Sequence, residues 1–80
     1  MDIHFGEIGK IARGDYAGWE VVVRDDREGA GGFSILVSRD FYDKDAEAYD
    51  DWVEKEEYLS KYFDLSSWVV EWTGTKLPPL

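Results

Sequence analysis

Large apolar residues recur along this chain with two different periods, and the period assigns the elements. Across residues 43–63, DKDAEAYDDWVEKEEYLSKYF, the side chains of Tyr49, Trp52, Val53, Leu59 and Phe63 fall within one arc of a helical projection. Their spacings predict one long helix docked on a core by its apolar stripe, with carboxylates on its outer face. Asp43 or Asp45 is placed to cap its first N–H groups, and residues 64–67 end it.

Elsewhere the pattern is shorter. Phe5, Ile8, Ile11 and Ala12 are three and four apart and predict a short N-terminal helix over residues 3–13, stopped by Gly14, with a strand at residues 3–5 as the alternative. Gly6 and Gly9 weaken that helix by up to about 1 kcal/mol each relative to alanine. Period-two alternation then predicts a strand over residues 19–24, with Trp19, Val21 and Val23 on one face, and another over residues 33–39, with Phe33, Ile35 and Val37 inward. A polar loop over residues 25–32 joins them as an antiparallel hairpin. Residues 68–72 predict a third strand, with Trp68, Val70 and Trp72 on one face, and residues 75–80, holding Pro78-Pro79, an extended tail. The expected fold is α+β: a small three-stranded antiparallel sheet, the long acidic helix on one face, and the short N-terminal helix beside it.

Length changes this picture little. Eighty residues make one domain, because two cores would each bury too little apolar surface to offset chain entropy. Aromatic residues at 16% argue against disorder. Charge changes it more. With 18 acidic residues against 9 basic, the net charge is -9, which disfavours nucleic acid and anionic membranes and favours a basic protein or cations as partner. The alternative is that the charge maintains solubility. No cysteine is present, so no disulfide or thiolate metal site is expected. The first residues lack a basic-then-apolar signal segment, and no window holds a membrane span, so a cytoplasmic location is the default expectation.

Candidate chemistry is thin. Asp43, Asp45, Glu47, Asp51 and Glu54 fall at offsets of a calcium-binding EF-hand loop, but Ala48 stands where the loop needs glycine. No metal or cofactor is therefore expected. Gly29, Gly31 and Gly32 join two strands and follow acids, which suits a hairpin tip rather than a phosphate cradle. His4 is the only histidine and has no triad around it, so catalysis has little support. Glu56 projects into the apolar arc, where it either reaches water, pairs with an arginine such as Arg39, or stays buried with a raised pKa.

The reading that results is a non-enzymatic, acidic protein-binding module of inhibitor type. Asp43, Asp45, Glu47, Asp50, Asp51, Glu54 and Glu57 would attract a basic partner and Tyr58 or Tyr62 would anchor it. Small acidic immunity proteins that block basic nuclease toxins follow the same physical logic, without sharing a motif with this chain. The second reading is structural. Val22, Leu36 and Val69 point away from the predicted helix and could form an apolar strip, covered either by the first helix or by a second copy in a homodimer.

Overall fold

Alternation in the two central strands sets the layout. In VVV of residues 21–23, Val21 and Val23 point to one face of the sheet and Val22 to the other, and all three are fully buried. Phe33, Ile35 and Val37 answer Val21 and Val23 across the pairing, in the register Val21 with Val37 and Val23 with Ile35. The computed structural model describes residues 2–77, and within them these two strands are the middle of a larger sheet.

The elements are β1 (Glu7–Arg13), β2 (Glu20–Asp26), β3 (Gly32–Ser38), β4 (Ala48–Val53), α1 (Glu56–Leu65) and β5 (Val69–Lys76). Strand order is β4-β3-β2-β1-β5, with every neighbouring pair antiparallel. The chain therefore meanders from β1 to β4 at one edge. Helix α1 then carries it over the sheet so that β5 can pair with β1 at the other edge. Leu59 and Phe63, four apart on α1, pack into the cluster of Ile11, Val21, Val23, Phe33, Ile35, Val37 and Trp68. Phe5 joins from the N-terminal side, its ring 5.7 Å from that of Phe33.

Three expectations are corrected. Among the described residues the sheet has five strands rather than three, with one helix rather than two. The N-terminal segment is strand β1: Ile8 and Ile11, three apart, lie on opposite faces, and both are buried, at 2% and 1% exposure. The alternative strand at residues 3–5 does not form either. The long helix of residues 43–63 is a loop, an edge strand and the first part of α1. Tyr49 and Val53 are four apart, a spacing that satisfies one face of a helix and one face of a strand equally. Here they take the strand, opposite Val37 and Phe33. Glu56 is then the first residue of α1 and is exposed.

The start of α1 has no capping side chain, as Lys55 occupies that position, but Glu56 and Glu57 in its first turn complement the helix dipole. Its other end is clasped to the β1–β2 turn. Trp68 Nε1 donates to the Asp15 carbonyl at 2.6 Å and Asp15 N to the Ser66 carbonyl at 2.9 Å. Gly14 sits between them at φ +98°, where a Cβ would strike the Ser66 and Ser67 carbonyls. The predicted tail is partly structured: β5 runs to Lys76 and Leu77 N donates to the Gly6 carbonyl, while residues 78–80 lie outside those described. Among the described residues no helix is long and apolar enough to cross a membrane.

Candidate functional site

The acidic residues singled out from sequence follow the chain along a margin set by the edge strand β4, not the face of a helix, and Glu57 at its end opens onto a shallow cleft shared with Asp2, Ile3 and Phe5. Asp43, Asp45 and Glu47 lie in the β3–β4 loop, Asp50 and Asp51 on the edge strand β4, Glu54 just after it, and Glu57 in the first turn of α1. All are exposed. Several have local structural duties. Asp43 accepts the Asp45 amide at 3.0 Å, which shapes the loop, and Glu47 pairs with Arg39 at 3.2 Å, itself stacked 4.8 Å over the Trp19 ring. Asp51 accepts the amide of Trp52 at 2.8 Å. Among the described residues the Arg39–Glu47 pair is the only ion pair along this margin.

Alternation separates the two adjacent aspartates. Asp51 shares the core face with Tyr49 and Val53 and sits at the rim of an aromatic cluster. There Tyr16 stands 5.0 Å from both Trp19 and Tyr49, and Tyr62 stands 5.6 Å from Trp68. Burial and then the hydrogen bond to Asp51 push the Tyr62 hydroxyl up to about 12. Burial, followed by the nearby Tyr62 and Tyr16 hydroxyls, also raises Tyr49 well above the ordinary phenol. Tyr62 is thus half-buried and tied down. Tyr58 is 39% exposed, but its ring is bracketed by the ammonium groups of Lys55 at 6.0 Å and Lys61 at 5.9 Å, so its immediate surroundings are cationic.

The aromatic residue on the acidic margin is Trp52, which the helical reading placed in the core. It is 47% exposed and lies on the open face with Asp50. Its indole rests over Gly32, where a Cβ would come within 2.7 Å of the ring. Period-two reading of residues 49–53 contains the signal: Tyr49 and Val53 inward leave Asp50 and Trp52 outward.

Edge strand β4 also has bare backbone. Arg39 N donates to the Glu47 carbonyl at 3.0 Å, and the ladder continues without a shift through Val37 with Tyr49, Ile35 with Asp51 and Phe33 with Val53. These are the hydrogen-bonded pairs of an antiparallel ladder, so the N–H and C=O groups of Ala48, Asp50 and Trp52 point away from β3.

The three residues assigned to a self-association strip are not contiguous. Val22 and Leu36 are directly paired, but Val22 has no exposed surface. Val69 stands beyond β1 on the far edge strand, 52% exposed. Among the described residues no group of three or more His, Asp or Glu side chains is gathered to hold a metal ion. The clefts present are shallow, the clearest being a 450 Å³ depression formed by residues 25–29 of the β2–β3 loop. No protein-family model matches the chain, and neither a curated protein nor a solved structure shows detectable similarity to it.

Proposed function

We propose that the protein is a non-enzymatic docking module that engages a basic site on another protein through its β4 margin. The observation that carries this reading is the continuous run of exposed carboxylates from the β3–β4 loop through β4 to the start of α1, with one ion pair among the described residues and an exposed tryptophan within it. Carboxylates at that density, unneutralised, create a field that accelerates approach of a cationic surface, and an aromatic side chain within a polar rim supplies the short-range anchor. Trp52 takes the anchoring part first assigned to Tyr58 or Tyr62. The role is that of an inhibitor or an adaptor that covers a positive site.

The test is a pull-down at low ionic strength with a salt gradient, comparing the protein with its D50N/D51N/E54Q/E57Q variant and with an acidic control protein. A basic partner should be retained by the protein alone and elute early, because exposed charges are screened beyond about 10 Å at 0.1 M salt. Equal retention by the neutralised variant, with its circular dichroism unchanged, would overturn the reading.

A further inference from the structure

The two edges of this sheet differ in a way that selects what each can accept. An edge strand exposes a row of unpaired N–H and C=O groups, which another strand can extend unless bulges, charge or covering chain prevent it. Edge strand β5 is protected by geometry. Its register with β1 shifts between Glu7 and Gly9 and again between Ile11 and Arg13, and the Gly74 amide is taken by the Glu7 carboxylate at 2.8 Å. Bulges twist an edge away from a regular partner. Edge strand β4 has no such shift over its six paired residues. Among the described residues its protection is one engaged amide, that of Trp52 on the Asp51 carboxylate, and otherwise charge.

That protection has a sign. A second copy of this chain pairing antiparallel along β4 would bring Asp50 and Asp51 of each copy together, with Glu47 and Glu54 flanking them, and directly opposed like charges destabilise a pair of strands. A cationic strand meets the opposite situation. Asp50 lies on the open face beside Trp52 and Asp51 on the core face, so an extended segment finds a carboxylate on each of its sides.

We infer that β4 is a docking edge for an extended, Arg- or Lys-rich segment of the partner, which adds to the sheet as a sixth strand. This rests on the docking reading above and gives its geometry. The incoming backbone pairs with the outward groups of Ala48 and Asp50 and with the Trp52 carbonyl. The Trp52 amide already has the Asp51 carboxylate. A guanidinium on the open-face side lies along the Trp52 indole and reaches Asp50.

The experiment uses the whole protein and three probes: a capped ten-residue peptide alternating arginine and valine, the same peptide N-methylated at its four central amides so that both its edges are blocked, and an alternating glutamate–valine peptide. Affinity is followed by calorimetry at low salt, and the amides by nuclear magnetic resonance. The arginine peptide should bind and slow solvent exchange of the Ala48 and Asp50 amides. Methylation should weaken binding about tenfold or more, since two or more backbone hydrogen bonds are lost, and the glutamate peptide should not bind. Asp50→Lys, at an exposed position, should weaken the arginine peptide while leaving the folded spectrum unchanged. Equal affinity of the two arginine peptides, or protection elsewhere, would overturn strand addition while leaving charge-driven docking in place. Failure of both to bind at low salt would overturn both.

Discussion

Each edge of the sheet ends in a tryptophan laid over a glycine of the neighbouring strand, and the two pairs serve opposite ends. At the β5 edge, Trp72 lies over Gly9, where a Cβ would fall on Val70 Cγ1 and within 2.9 Å of the indole. Trp72 is then covered from above: His4 stacks on it at 5.2 Å and 8° between planes, and its Nε1 donates to the Asp2 carbonyl at 3.0 Å. At the β4 edge, Trp52 lies over Gly32 and, among the described residues, no ring stacks on it, leaving it 47% exposed. One tryptophan closes the fold and the other remains on its surface. The difference teaches that local packing of an indole on a glycine does not decide whether it serves stability or recognition; the next layer does.

The comparison is broken most severely by filling the glycine under the closed tryptophan. Gly9→Val should lose about 3 kcal/mol, enough to unfold a marginal domain of this size, as read from the urea midpoint. Full stability would mean that β5 does not lie against β1 as described. Truncating the two tryptophans in turn sharpens the contrast. Trp72→Ala should cost about 3 kcal/mol, as large aromatic truncations do, whereas Trp52→Ala should cost about 1 kcal/mol or less and instead weaken the arginine peptide. Reversed costs would exchange the roles of the two edges.

The smallest effect is the pH dependence of the cover on Trp72. Hydrogen bonds to Asp2, then to Glu7, raise the His4 pKa above its ordinary 6.5. A raised pKa stabilises the fold fully below the unfolded value and loses that contribution as pH rises through the folded one. Glu7 is lowered from 4.5, chiefly by the Gly74 amide, so its contribution is present above that value and is lost as pH falls through the folded one. The cover is strongest between 4.5 and 6.5. Melting temperature should therefore decline from about pH 5.5 to about pH 8.5 by more in the native protein than in a His4→Gln variant; identical declines would remove His4 from the latch.

The central hairpin was legible because its signals agree. Val21, Val23, Phe33, Ile35 and Val37 alternate, have high strand propensity, and flank a glycine-rich turn. The flanks of the chain carry misleading signals for a physical reason. Residues 48–53 place two aspartates in mid-strand, against propensity, and their apolar spacing of four fits either period. The start of α1 at Lys55 lacks the Ser, Thr, Asp or Asn that marks a helix beginning, so the first such signals for the helical pattern lie back beyond β4, at Asp43 and Asp45. Gly6 and Gly9 did mark trouble for an N-terminal helix, but that Gly9 makes room for Trp72 depends on a contact spanning most of the chain. The carboxylate margin itself was read from charge density; Trp52 as its aromatic member required the strand.

The pairing of β1 with β5 has a consequence for how the molecule is made. These two neighbours in the sheet are the first and last of the described strands, and Leu77 N reaches back to the Gly6 carbonyl. On a ribosome that releases residues in order, β1 to β4 and α1 can gather early, but one flank of β1 stays bare until β5 emerges. Loop closure over that separation is slow compared with forming the hairpins. During that interval the nascent chain offers a second, temporary sticky edge, one that carries Lys10 and Arg13 against a single carboxylate, Glu7, where β4 carries two aspartates and no basic residue.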